Sequence, residues 1–184
     1  EAKFIVNAHG AKLFSDSFEM PLFAGSMLRT GSIIAQNERQ KFKGRKIEIS
    51  SLEASAENVK KIAVSFLNTP YLWAGRTLQG IDCSGLSQIV LRLNGVQIAR
   101  DASQQALQGD TISFLQESRC GDLAFFANAE GKINHVGIIL DEQHIIHATE
   151  TSGVVVIDKI DQEGIVSLAL RKRTHTLRLI KRYF

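Results

Sequence analysis

Residues 80–86 read GIDCSGL, a short run that sets one of the chain's two cysteines between Asp82 and Ser84, hemmed by Gly80 and Gly85. The next residues have helical spacing. Leu86, Ile89, Val90 and Leu93 recur three and four residues apart, as on one face of a helix, and Gly95 suits the position just past its end. Asp82 then falls at the N-cap, where a carboxylate accepts the unpaired N–H groups of the first turn. A thiol at a helix amino terminus, with a cationic imidazole beside it, is expected to lose its proton readily and to act as a nucleophile. Gly85 is expected to leave the first turn open to a substrate. A buried structural cysteine is the plain alternative, and the polar and glycine neighbours weigh against it.

A nucleophile needs a base, and the later sequence offers one. GDLAFFAN (121–128), NHVGIIL (134–140), HIIHAT (144–149) and GVVVID (153–158) are strand-like runs joined by short polar connections, the pattern of an antiparallel meander. If Asp141–Gln143 is the turn, opposed positions sum to 284. His135 and His147 then share a face as diagonal neighbours, while His144 points to the other face. Two imidazoles hydrogen-bonded in series supply a general base, His135, and a group that orients it, His147. A rival reading makes Cys83, His135 and His147 three zinc ligands with an open fourth position. The chain has no CxxC or HxxxH pair, so no metal is expected. Cys120 has no histidine near it in sequence and is read as packing.

Organisation follows from the change of period along the chain. Residues 1–51 contain KFIVNA, AKLFSDS, SIIAQNE and GRKIEIS, separated by Gly10, the Pro21 region, Gly31 and Gly44, and read as a small β unit. In SSLEASAENVKKIAVSFLN (50–68), Val59, Ile62, Ala63, Phe66 and Leu67 fall on one helical face, and Ser50 with Glu53 has capping-box spacing. A second domain, 52–184, is expected from here. Helices first and strands later imply an α+β fold.

The chain has 184 residues, is 44% apolar and carries a formal net charge of +3, enough for a sizeable core. No apolar run approaches the roughly 20 residues of a membrane span, and the first residues, EAKFIVNAHG, do not read as a signal peptide. The basic end, LRKRTHTLRLIKRYF, alternates as a closing strand does, so no nucleic-acid partner is expected; an anionic wall polymer would suit the charge. Two cysteines allow one disulfide at most.

The motifs PYLWAG, DCSGL, RDASQQ, CGDLAFF, HVGIIL and IIHAT resemble, in order and spacing, those of the NlpC/P60 cysteine peptidases over roughly residues 54–184. The resemblance implies a papain-like catalytic domain with Cys83 as nucleophile, His135 as base and His147 as the third, polar member. It implies a peptidoglycan stem peptide as substrate, cut between γ-D-glutamate and the following diamino acid, with no cofactor and a monomeric enzyme. Tyr71 would sit near the thiol, Asp82, Ser84 and Ser103 would bind the L-Ala-γ-D-Glu part, and Trp73 would be a structural aromatic. Ala74 stands where the family has Gly, and Ala99 where it has Pro. Residues 1–51 resemble a bacterial SH3-type (SH3b) unit, which in relatives narrows the site and selects a free amino-terminal L-Ala. Such an enzyme belongs in the cell envelope, periplasmic or secreted, if a leader is removed, or in cytoplasmic recycling. The alternatives are an amidase or acyltransferase on another amide or lipid, and a wall-binding module; the complete triad argues against the module. Cys preceding His argues against the permuted lipid-active relatives.

Overall fold

The computed structural model describes residues 2–29, 34–35 and 38–184. It divides into two compact units, one ending at Glu53 and the other spanning Ala54–Phe184.

The described residues of the first unit form eight short strands: β1 (Ala2–Val6), β2 (Ala11–Phe14), β3 (Glu19–Leu22), β4 (Met27–Arg29), β5 (Ile34–Ala35), β6 (Glu38–Arg39), β7 (Lys41–Lys43) and β8 (Lys46–Glu48). β1 lies between β4 and β8 in one sheet, β2 between β3 and β7 in another, and β5 pairs with β6. Val6, Ala11, Leu13 and Leu28 form the core of this unit, with Phe4, Leu22 and Phe42 against it. Pro21 does not separate strands as its neighbourhood suggests; it sits inside β3, opposite Lys12. An edge strand tolerates it, because a proline there deprives no neighbour of a ladder hydrogen bond. The strand expected over residues 32–38 lies mostly outside the described residues.

The second unit opens with α1 (Ala56–Val64), capped by Ser55, whose Oγ accepts from the Asn58 N–H at 3.2 Å. The cap is therefore Ser55, and Ser50 lies in a 3-10 turn over Ile49–Ser51. Val59, Ala63 and Phe66 are buried, as the periodicity requires. A two-stranded ribbon, β9 (Arg76–Thr77) with β10 (Gly80–Ile81), leads into α2 (Cys83–Arg92), and α3 (Ala102–Gln105) comes next. Seven strands complete the unit: β11 (Asp110–Ile112), β12 (Leu123–Ala127), β13 (Ile133–Ile139), β14 (His144–Thr149), β15 (Val154–Asp161), β16 (Gly164–Ser167) and β17 (Lys172–Arg182).

These seven form one antiparallel sheet in the order β11-β17-β12-β13-β14-β15-β16, and β16 pairs with β17 as well. The eleven residues of β17 make this possible: its first half bonds β16 and its second half β12 and β11, so the sheet bends round on itself. The expected meander is present, from β12 to β17, and the fold is α+β. Ala124, Phe126, Ile139, Ile145, Ile160, Ile165 and Ile180 form a core cluster on this sheet.

α2 packs against β13 and β14 and is buried from Cys83 through Leu91. Its expected stripe, Leu86, Ile89, Val90 and Leu93, is buried, but so are Ser84, Ser87 and Gln88. Burying polar side chains is tolerable here because they are bonded: Ser87 Oγ donates to the Cys83 carbonyl, and Gln88 Nε2 to the carbonyls of Ile98 and Ala99. The helix is thus a central one.

Candidate active site

Asp82 holds the start of α2 in place. Its Oδ1 accepts from the Gly85 N–H at 2.6 Å and its Oδ2 from the Ala74 N–H at 2.9 Å. Arg100 grips both oxygens, Nη1 to Oδ1 at 3.0 Å and Nη2 to Oδ2 at 2.6 Å, and the same Nη1 donates to Ser84 Oγ at 2.8 Å. One carboxylate therefore ties together the helix start, the loop through Ala74 and the loop through Arg100. Gly85 is required by this arrangement rather than by substrate access. A Cβ there would collide with the carbonyl oxygen of Gly75 and lie 2.9 Å from Asp82 Oδ1.

Cys83, 8% exposed, is the first residue of α2 and lines a cleft of about 660 Å³. Burial pushes its thiol up to about 11, and the Asp82 carboxylate adds to the rise. The backbone N–H groups of Val136, Ser84 and Cys83 itself pull the other way without reversing it. This corrects the expectation of a readily ionised thiol. A helix terminus contributes only about 0.3–1 kcal/mol, less than the loss of water around a buried thiolate.

The register of β13 and β14 brings in the histidines. Ile138 pairs with Ile146 and Ile139 with Ile145, so opposed positions sum to 284. His135 Nε2 lies 2.8 Å from His147 Nδ1, and His147 Nε2 lies 3.2 Å from Asp158 Oδ2. Asp158, from β15, is buried, and its Oδ1 accepts from the Leu168 N–H at 2.8 Å. Burial would raise this carboxyl, but the hydrogen bonds from His147 and Leu168 outweigh it and hold it below its ordinary value. An ionised carboxylate can only accept, so His147 Nε2 carries a proton and its Nδ1 accepts from His135 Nε2–H. His135 Nδ1 is left with a free lone pair. Burial, then His147 and His175, hold His135 well below its usual range, so it is neutral.

The structure brings the expected residues together. Cys83, His135, Tyr71, Asp82, Ser84 and Ser103 all line the cleft, and His147 is fully buried behind His135. Burial foremost, then the Cys83, Asp82 and Glu150 side chains, raise the Tyr71 hydroxyl, which therefore remains a donor. Trp73 is not a structural aromatic: it is 82% exposed on the rim of the cleft. Cys120 is half-buried with its Sγ 3.4 Å from the Ala56 carbonyl oxygen, and both cysteines are free thiols.

Two participants escaped the sequence. Asp158 follows four apolar residues in β15, and only the β14–β15 register, which sets Ile145 opposite it and His147 opposite Val156, singles it out. His175, on β17, stacks on His135 with ring centroids 4.1 Å apart and planes at 24°. Alternation along β17 does not reveal it, because the strand shifts register opposite both β12 and β16. One candidate nitrogen from each of His135, His147 and His175 lies within 4.8 Å of the others, the spacing of a metal group. Their orientation suits hydrogen bonding instead. Two nitrogens aimed at each other across 2.8 Å share a proton, and stacked rings direct their in-plane lone pairs side by side rather than to one point.

The NlpC/P60 family model matches residues 68–173, the segment that carries Cys83, His135, His147 and Asp158. The chain belongs to the NlpC/P60 family. It is 32% identical over 162 residues to a gamma-D-glutamyl-L-lysine dipeptidyl-peptidase of Bacillus subtilis, covering 85% of this chain and 54% of that protein. It is 37% identical over 112 residues to dipeptidyl-peptidase 6 of Lysinibacillus sphaericus, covering 60% of this chain and 38% of that one. The chain therefore spans between about a third and about half the length of these relatives. A crystal structure of an NlpC/P60 family protein from Bacillus cereus superposes with a TM-score of 0.82 at 21% identity, covering 100% of this chain and 63% of that chain, and shows the shared fold.

Proposed function

We propose that the protein is a cysteine peptidase that hydrolyses the bond between γ-D-glutamate and the following diamino acid in peptidoglycan stem peptides. The observation that carries this reading is the hydrogen-bonded series His135–His147–Asp158, which leaves one bare imidazole nitrogen in the cleft that Cys83 lines. The family membership and the relatives named for γ-D-glutamyl-L-lysine bonds support the choice of substrate.

In the proposed reaction the Cys83 proton passes to His135 Nδ1 as the sulfur attacks the γ-carbonyl carbon. Because thiol and imidazole are both neutral at rest, charge separates only as the substrate arrives. The oxyanion is met by the backbone N–H of Cys83, unclaimed by the first helical turn, and by the Tyr71 hydroxyl. The C–N bond then breaks, His135 returns the proton to the leaving amine, and a thioester remains on Cys83. A water activated by His135 cleaves the thioester and restores the thiol. His147 and Asp158 never touch substrate; they fix which nitrogen of His135 faces it.

Ser84 and Ser103 are assigned to the L-Ala-γ-D-Glu portion, together with the Asp82 region. Both Asp82 oxygens already accept hydrogen bonds from the helix start, the Ala74 loop and Arg100. A free substrate ammonium would therefore join a formed network rather than meet a bare carboxylate. We assign residues 1–51 as an SH3b-like unit that favours a free amino-terminal L-Ala, and the cell envelope or its released fragments as the place of action. Among the described residues no helix is long and apolar enough to cross a membrane.

The test is a comparison of L-Ala-γ-D-Glu-diamino acid with its N-acetylated and glycan-linked forms. Release of the diamino acid from the free peptide much faster than from the other two is expected. Equal rates on all three would remove the free-amine preference, and no release from any would remove the substrate assignment.

A further inference from the structure

His175 lies two residues beyond the segment matched by the family model, on a strand whose sequence reads as a solvated closing strand, yet its ring is against the base. His135 is enclosed on three sides. Phe126 of β12 approaches with ring centroids 5.7 Å apart, His147 of β14 meets it edge-on at 5.0 Å, and His175 of β17 covers one face at 4.1 Å. His175 is itself set by its neighbours: it pairs with Ile165 on β16, stands edge-on to Phe126 at 5.9 Å and to His147 at 5.6 Å, and its Nδ1 lies 2.9 Å from Thr174 Oγ1.

We infer that His175 is a positioning residue for the base, a flat platform that holds the His135 ring in the plane set by His147 and keeps water from its face. The inference rests on the reading of Cys83 and His135 as nucleophile and base. The hydrogen bond to His147 fixes one atom of the His135 ring but leaves it free to rock about that point; a second ring stacked on its face removes this freedom. Rocking matters because proton transfer depends on the alignment of His135 Nδ1 with the thiol.

The stack also governs protonation. The titratable groups against His135 are His147 from β14, with Asp158 of β15 behind it, and His175 from β17, while the Cys83 thiol of α2 lines the same cleft. Burial is the first reason that His135 is held neutral, and the His175 ring is part of what buries it. His175 is held down to about 4, by burial and then by His147, so it adds no charge of its own near neutrality. A ring of the same shape without nitrogen should therefore serve as well, and a small side chain should not.

The experiment compares His175→Ala and His175→Phe in the full 184-residue chain. The His135 ring is titrated by NMR without substrate, and kcat and KM are measured on the free wall peptide. In His175→Ala the titration of His135 should move to higher pH, because water reaches its charged form, and kcat should fall about tenfold with KM little changed. In His175→Phe both should stay close to the parent protein. Should His175→Ala fail to fold, His175→Asn, which has no ring, takes its place. An unshifted His135 titration or an unchanged kcat in the ringless variant overturns the assignment, as does a Phe variant as slow as the ringless one. The titration needs no substrate, so it still judges the platform if the wall peptide is not turned over by the parent protein.

Discussion

His147 and Asp158, both buried, are joined through Nε2 and Oδ2 at 3.2 Å, and this contact sets the direction of every proton in the site. The carboxylate accepts a hydrogen bond from His147 Nε2–H, His147 Nδ1 accepts one from His135 Nε2–H, and His135 Nδ1 keeps its lone pair on a ring that lines the cleft. Reversing the first contact should reverse the rest.

Asp158→Asn offers a test of that direction. The amide oxygen can keep the Leu168 N–H while the amide nitrogen, a donor, faces His147 Nε2 and favours the opposite tautomer. A fall in kcat on the order of a hundredfold or more is expected, with the fold intact by circular dichroism. A kcat within about threefold of the parent would show that the carboxylate does not set the tautomer.

Gly85→Ala probes the helix start. The added methyl meets the Gly75 carbonyl, which accepts from the Asp82 N–H, and the capping carboxylate, which cannot yield without loosening the Arg100 grip. A loss of about 1–3 kcal/mol in urea denaturation is expected, together with lost turnover. Unchanged stability would mean that the Ala74–Gly75 loop is free to move away.

Thiol reactivity separates a neutral resting pair from an ionised one. With Cys83 pushed up to about 11 and His135 neutral, iodoacetamide labelling of Cys83, followed by peptide mapping, should climb with pH through about 9. A plateau reached by about pH 5 would reveal a thiolate–imidazolium pair formed before substrate binds.

Acid stability should report the two depressed imidazoles at a higher pH than it reports carboxylates. His135 and His175 bind protons less readily folded than unfolded, so as pH falls below about 6.5 the unfolded chain takes up protons first. Their contribution is full above that value and is lost progressively as pH falls towards 4 for His175. The melting temperature should drop between pH 7 and 4.5, and less steeply in His175→Phe. An equal slope in both proteins would show that His175 is not held neutral by the fold.

What could be read from the sequence was what local rules govern. The cap at Asp82, the helix after it and the β13–β14 register come from spacing and a three-residue turn, and they were enough to place Cys83, His135 and His147. Asp158 needed the register of a second hairpin. His175 was hidden because β17 shifts register opposite both β12 and β16, so alternation along it does not report one face. The thiol departs from its expected ionisation for a different reason: the helix end is local, but burial of Cys83 comes from β13 packing over it.

Whether Cys83, with its proton taken by His135, opens the γ-D-glutamyl bond is decided by mass spectrometry of L-Ala-γ-D-Glu-diamino acid incubated with the parent protein and with Cys83→Ala. The parent should yield L-Ala-D-Glu and free diamino acid, with a transient adduct of the L-Ala-γ-D-Glu acyl group on the peptide containing Cys83, and the variant should yield no products. Turnover by Cys83→Ala, or cleavage at another bond, would refute this chemistry.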